Sequence, residues 1–499
     1  MQINASLQDE YLHFDGENLQ AFVDQIVAFL HEPPDLIVHS LTISPDIETF
    51  CVFIETLADR NKIERELLHF LSEKTLLSDL ESSEDVMYAL QSRIPFSFIK
   101  SSSDFVDCID SLLKGHCLLL VSAAEEVLII NASQTSQRNV TEPLTESTVR
   151  GPQEGFTEDV ATNLSLLRKR VKNVNLRIEQ IVAGTETTTT IALVYLGHLA
   201  PESVVDEFRR RLLAIEIDSV LDSAYVLEWI QDRTYSPFTT LLDSERPDIV
   251  AAHLLEGRVS VIVDGSPIVL IGPVTFFQFF TAPDDYYQRA DIATLLRWLR
   301  FLAFILSVFT PSLYISIISY HHELLPHSLL ISIAAQREGV PFPAFMEAIL
   351  MMVTFELLRE AGLRMPRIAG QAISIVGALV LGQAAVTAGL VSTAMVIVVS
   401  VTAISNFVVP SYSFGITQRM LQFFYMILAG AMGLYGILCG VLFTVVHMAS
   451  IKSFSVPYLA PMAPVSLKDW KDFLVRVPRP WMRSYPQMNR VKRKRRGGV

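Results

Sequence analysis

The sequence predicts an α/β N-terminal region of two subdomains followed by an all-α polytopic transmembrane bundle. Three observations carry this. Residues 368–418 contain no Asp, Glu, Lys, Arg or His, over more than twice the ~20 residues that one helix needs to cross a bilayer. A soluble core helix keeps a charged wet face, so lipid is the solvent such a stretch requires. Charge is also segregated: 1–290 is rich in Asp and Glu, 295–450 is mostly apolar and 468–496 is strongly basic. Within the acidic front, short β-type apolar runs alternate with helical spacings.

The formal net charge of −13 therefore hides an acidic front and a basic tail. Basic residues just after the last apolar segment read as a topology signal. The five basic residues in 491–496 would each favour an anionic cytoplasmic leaflet by ~1 kcal/mol. A nucleic-acid role would need aromatic or fold support, and the tail offers none. Residues 1–20 hold Asp9, Glu10, Asp15 and Glu17 and no apolar core, so they are no secretory signal. The front is thus expected in the cytoplasm. Cys51, Cys108, Cys117 and Cys439 are scattered, with no CxxC pair and no disulfide framework.

In chain order, 36–43, 51–54, 118–121 and 127–131 read as strands. Residues 59–72 read as a helix with Ile63, Leu67, Leu68 and Leu71 on one face. These fall in a first subdomain, 1–131. Residues 132–157 are a linker, rich in Ser, Thr, Gln, Pro and Glu. A second α/β subdomain, 158–290, has a helix at 158–172 ending in Arg168-Lys169-Arg170, whose basic run, with Lys172, reads as a solvated face or else as a contact for anionic lipid or a partner. It continues with a strand at 190–196 and a helix at 201–213 opened by Pro201. Strands 258–264 and 267–271 are joined at Asp264-Gly265, a hairpin-type turn. No repeat of 20–50 residues is visible. Motifs for phosphate loops, dinucleotide turns, zinc proteases and serine hydrolases are missing, so no catalytic residues, metal ligands or cofactor are expected.

The transmembrane domain is 295–450 and the basic tail 451–499. Strong apolar stretches are 301–319, 368–390, 391–410 and 420–450; a weaker one is 342–358, and 324–335 is too short to span. A cytoplasmic front and tail demand an even number of crossings, and the count stands between four and six. Ala378 and Gly382, Ala385 and Gly389, and Gly436 and Gly440 are each four apart, a spacing that lets helix backbones approach; glycine is also simply common in membrane helices. Glu347, Glu356 and Glu360 are acids in or beside a membrane segment, where acids mark pathways or pairs. Glu356 and Glu360 share a helical face, and Glu347 lies half a turn away. They are the pore or gate candidates, with an interfacial helix facing headgroup water as the alternative. Pro341 and Pro343 are gate breaks or loop ends, and Pro311 and Pro410 are expected to break or bend their helices. The run His321-His322-Glu323 lacks convergent ligands for a metal.

Several runs resemble the GerA family of spore germination proteins, in particular A subunits of nutrient germinant receptors. They are Arg150-Gly151-Pro152-Gln153-Glu154-Gly155-Phe156, Thr162-Asn163-Leu164-Ser165-Leu166-Leu167-Arg168, Glu245-Arg246-Pro247-Asp248, Glu256-Gly257-Arg258 and Val263-Asp264-Gly265-Ser266-Pro267. Asp284-Asp285-Tyr286-Tyr287, Val340-Pro341-Phe342-Pro343, the run from Phe355 through Glu356, Arg359 and Glu360 to Gly362, Ser374-Ile375-Val376-Gly377 and Val456-Pro457-Tyr458 continue it. The resemblance covers about 150–485. It implies a spore inner-membrane subunit with a cytoplasmic front, working with a transporter-like B subunit and a lipoprotein C subunit. It also implies a homo-oligomer, a pentamer in the family picture, that forms a nutrient-gated cation channel. Two alternatives are a non-conducting scaffold subunit and the amplifying paralogue encoded with dipicolinate-channel proteins.

Overall fold

The computed structural model describes residues 13–44, 47–72, 90–91, 94, 96, 99–122, 124–133, 143, 146, 150–364, 380–466, 469–473, 475–482, 484–486 and 491–492. The chain forms two compact units: 1–230 with 244–272 and 489–495, and 231–243 with 273–488 and 496–499.

The first unit holds two five-stranded sheets. Helix α1 (Leu19–Phe29) buries Leu19, Phe22, Val23 and Ile26, one face at helical spacing. Strands β1 (Leu36–Ser44) and β2 (Ile47–Ile54) pair antiparallel. Helix α2 is the run Arg60–Lys62, the π-turn Ile63–Leu68 and His69–Ser72. Then come β3 (Ile99–Ser102), α3 (Phe105–Leu112), β4 (Cys117–Val121) and β5 (Val127–Ile130). The sheet order is β1-β2-β4-β5-β3. Every residue of β4 and β5 is buried. Leu118 and Leu120 face the cluster of α1 and α3, while Cys117, Leu119 and Val121 face the cluster of α2. Covering both faces explains why these strands read as unbroken apolar runs. Cys51 and Cys117 Sγ atoms lie 3.1 Å apart on neighbouring strands as free thiols, a proximity invisible in sequence.

The second sheet repeats the plan. Helix α4 (Val160–Arg170) leads to β6 (Leu176–Ala183), β7 (Thr189–Leu196), α5 (Glu202–Leu213) and α6 (Ser223–Ile230). After these come β8 (Leu242–Ser244), α7 (Pro247–Leu254), β9 (Val259–Val263) and β10 (Val269–Gly272). The order β6-β7-β9-β10-β8 matches the first sheet position for position. The repeat exceeds the window of common solenoid periods, which is why the sequence search misses it. Asp159 caps α4, accepting from the Thr162 amide at 2.8 Å. Pro201 stands at the N-cap of α5.

The basic run at the end of α4 is not a uniformly solvated face. Arg168 is buried, and its Nε and Nη2 donate to the Asp35 carboxylate at 2.7 and 2.6 Å. Thr56 Oγ1 donates to the same carboxylate at 2.6 Å. This fork joins the two sheet halves, because a buried guanidinium needs a bonded anion.

The second unit is a helical bundle. Its helices are α8 (Asp284–Tyr287), α9 (Ala290–Ser319), α10 (His327–Arg337), α11 (Ala344–Arg364), α12 (Ala385–Thr387, after the π-turn Val380–Ala384), α13 (Thr393–Val408) and α14 (Tyr412–Ser450). Helix α9 starts eleven residues before the apolar stretch expected at 301, and it stays helical through Pro311, which is buried inside it. The expected break is absent because neighbouring helices hold the segment. Residues 365–379, including Ala378 and most of the expected 368–390 stretch, lie outside the described residues.

The apolar stretch 420–450 is not one rod. Gly433 takes φ +63 and ψ −144, and the helix doubles back there. Tyr425 Oη donates to Thr444 Oγ1 at 2.8 Å, and the Phe424 and Phe443 rings stand 6.2 Å apart. A straight helix would separate those pairs by almost 30 Å, at ~1.5 Å per residue. The α14 arms therefore form a helical hairpin. Its two ends meet the segment 236–243: Ser413 bonds Asp243 at 2.6 Å and His447 bonds Ser236 at 2.9 Å. Its bend meets the far end of α9, where Tyr320 Oη donates to the Gly430 carbonyl at 2.6 Å.

These contacts fix the course of the chain through the bundle. Helix α9 runs from the Asp285 end to the Tyr320 end. Helix α11 starts near that far end and returns, with Glu356 3.9 Å from Arg419 near the beginning of α14. Gly389 lies again at the far end, beside the Gly339 carbonyl. Helix α13 then returns, and the α14 hairpin goes out and back. Among the described residues, α9, α11, α13 and the two arms of α14 each run from one end of the bundle to the other. Helix α9 meets the length and apolarity of a bilayer span, as does α14 when its two arms are taken as one run.

Candidate functional site

The acids of α11 occupy three different environments. Glu347, in its first turn, is fully buried. Its Oε1 accepts from the Ser392 amide and from Ser392 Oγ, both at 2.6 Å. Ser392 is the N-cap of α13, and its Oγ accepts from the Met395 amide at 3.2 Å. A carboxylate there meets unpaired N–H groups and the positive end of the helix dipole. Arg337 Nε stands 3.7 Å from the other carboxylate oxygen, and Tyr314 Oη lies 3.4 Å from Ser392 Oγ. Glu347 thus binds α11 to the start of α13.

Glu356 is half-buried and pairs with Arg359, with Arg419 at 3.9 Å. Glu360 is exposed and pairs with Arg364 at 2.7 Å. The half-turn offset expected between Glu347 and Glu356 thus separates a buried, helix-capping acid from a charge-paired one. Pro341 and Pro343 stand in the turn before α11, where the Pro343 carbonyl accepts the Glu347 amide at 3.0 Å.

The small residues divide likewise. Gly436 and Gly440 sit inside the α14 hairpin, where a Cβ on Gly440 would come within 2.7 Å of Leu428 and 2.9 Å of Tyr425. A Cβ on Gly436 would run into the Leu428 carbonyl. Here the four-residue spacing works within one chain. Gly389 has φ +69 and ends the α12 turn. Ala385 packs against the bundle core, whereas a Cβ on Gly382 would meet open space.

A buried polar line escaped the sequence reading. Gln418 and Gln422 on α14 are fully buried, and Gln418 Nε2 bonds Ser307 Oγ on α9. Both atoms of the Gln422 amide lack a protein partner among the described residues. Buried amides in apolar surroundings are served by water or ions. The available signal was glutamine at four-residue spacing, one turn apart, entering an apolar stretch. Among the described residues, no three His, Cys, Asp or Glu side chains come together to hold a metal.

Residues 24–488 match the family described as Bacillus/Clostridium GerA spore germination protein. The chain belongs to the GerA family. It is 42% identical to spore germination protein KA of Bacillus subtilis over 446 residues, covering 89% of this chain and 81% of that protein. It is 38% identical to the uncharacterized membrane protein YfkQ of the same organism, covering 96% and 92%. A crystal structure of the N-terminal domain of the A subunit of the Bacillus megaterium spore germinant receptor GerK3 aligns at 30% identity. It covers 53% of this chain and 98% of that one, with a TM-score of 0.42.

The GerA runs quoted above have structural roles in this chain. In Glu245-Arg246-Pro247-Asp248, the buried Arg246 forks onto Asp248 at 3.0 and 2.6 Å across the first turn of α7. Gly257 takes φ +78 in the turn after α7, a backbone state that disfavours other residues. Asp285 is the buried anion of the α8–α9 junction, and Tyr458 fills the bundle core.

Proposed function

We propose that this chain is the membrane subunit of a spore germinant receptor, and that copies of it assemble around a nutrient-gated cation path opened early in germination. In this reading it resides in the spore inner membrane and crosses it six times, with the α/β unit and the tail cytoplasmic. Its partners are a transporter-like B subunit and a lipoprotein C subunit. GerA membership over nearly the whole chain carries the reading.

Support for conduction comes from α11. Met346, Leu350, Val353 and Leu357 are exposed on one face, and Glu360 and Arg364 continue the stripe. The alternating four-and-three spacing is that of a helix seam made to pack against another helix. A second copy packed there would bring Glu356 and Glu360 near the assembly's interior, with Pro341 and Pro343 at the hinge of the segment. Ligand binding then favours an open arrangement, by no more than the ligand's difference in affinity between the two states.

The test is ion efflux from liposomes holding the purified receptor complex, with and without nutrient. Nutrient-dependent efflux that changes in Glu356→Gln and Glu360→Gln supports the channel. An assembled complex that releases no ions under any nutrient leaves the chain a scaffold.

A further inference from the structure

The tail folds onto the start of α9, and guanidinium groups crowd the junction. Arg297 donates from Nε to Asp285 at 2.9 Å and from Nη1 to Asp472 at 3.0 Å. Arg300 Nη1 donates to both Asp285 oxygens at 2.9 Å. Asp472 also accepts from Tyr286 Oη at 2.7 Å. Around the Tyr286 ring stand three guanidinium carbons, those of Arg297, Arg476 and Arg479, at 5.5, 5.7 and 5.4 Å. Arg297 and Arg300 thus share Asp285 and Asp472, while Arg476 and Arg479 stand over the Tyr286 ring.

Arg476 is the telling member. It is only 6% exposed, and its Nε has no hydrogen-bond partner among the described residues. No carboxylate among the described residues pairs with it, and the neighbouring residues 467, 468, 474 and 483 include no acid. Arg297 Nη2 is likewise buried without a partner. Burying a guanidinium without an anion is strongly unfavourable, and a planar fork of donors suits phosphate oxygens. Arg479 is exposed and leaves the cluster open on one side. The depth is marked by tryptophan. Three of the chain's four tryptophans, Trp298, Trp470 and Trp481, lie on these segments and are exposed by 58, 38 and 67%. Exposed tryptophan collects at headgroup level.

We propose that Arg476, Arg479 and Arg297 form a binding site for a phosphate group, presented by an anionic phospholipid headgroup. The lipid supplies the anion that Arg476 lacks and locks the tail to the first long helix.

The full-length protein is purified in a maltoside detergent, which carries no phosphate, and its thermal unfolding is followed during titration with phosphatidylglycerol or inorganic phosphate. Phosphatidylglycerol raises the melting temperature saturably, and R476Q raises the half-effect concentration about tenfold or more. R479Q, at an exposed position, weakens the response in the same direction and carries the test alone where R476Q does not fold. R289Q, exposed and paired with Asp291, leaves it unchanged. An equal response to inorganic phosphate keeps the site and assigns it a soluble ligand. No saturable response to either, or one identical in wild type, R476Q and R479Q, overturns the proposal and leaves the guanidinium served by water alone.

Discussion

Glu347 is a charge whose work is done by its neighbours' positions. It bonds a backbone amide and a hydroxyl at the N-cap of a helix forty-five residues further along. Glu347→Ala leaves those donors buried without their anion. That loss costs ~1.5–3 kcal/mol, so the purified protein in detergent should unfold at lower temperature, with Glu347→Gln intermediate. An unshifted melting temperature in Glu347→Ala would show the contact to be idle. In the α/β unit, His253 behaves differently. Desolvation, with the Arg258 guanidinium beside it, holds its ring well below the ordinary histidine range. The folded state keeps it neutral while the unfolded chain takes up a proton near pH 6.5. Stability contributed here is therefore present above that pH and declines as pH falls below it. Denaturant midpoints measured across pH 7 to 5 should fall more steeply in wild type than in His253→Gln.

At the scale of elements, the α14 hairpin rests on one residue. Gly433 has a backbone conformation that side chains disfavour, and a Cβ there would sit 3.0 Å from Tyr320. Gly433→Ala should cost ~1–3 kcal/mol and loosen the hairpin. Oxidative cross-linking of cysteines placed at Phe424 and Phe443 reports this directly: high yield in the parent, reduced yield with Gly433→Ala. Helical spacing made α2 and α5 legible, and β4, β5, β7 and β9 were legible as short apolar runs bounded by polar residues. The hairpin was illegible for a physical reason. Glycine interrupts hydropathy no more than alanine does, so a reversal in lipid leaves a continuous apolar run. The acids of α11 were legible as distinct faces, but Ser392 and Arg337, the groups that decide what Glu347 does, are far away in sequence. The unpartnered amide of Gln422 belongs with them. Gln422→Leu should raise the bundle's melting temperature if the line is only a packing defect, and reduce ion efflux if water threads it.

For the whole molecule, the proposed six-crossing topology returns the tail to the side where the bundle starts. Single cysteines at Arg289 and Trp481, in a background without Cys439, should react with a membrane-impermeant reagent from the same face. Cysteines at Glu323 and Glu338 should react from the opposite face. Labelling of Arg289 and Trp481 positions from opposite faces would contradict the course of the chain. Charge distribution asked for an even count, and the reversal at Gly433 is the feature that composition concealed.

The two sheet halves carry one further implication. Their seam uses different surfaces of like units: the turn before β1 in one half and the end of α4 in the other. A head-to-tail contact of that kind does not close on itself, and if both units offered both surfaces, stacking would continue from molecule to molecule. Counting along the matched elements, the position of Asp35 is occupied in the second half by Asn175, and that of Arg168 in the first half by Val27. Neither outer surface presents the charge its neighbour would need, so the array terminates at two members and gives the receptor subunit a cap against fibre growth.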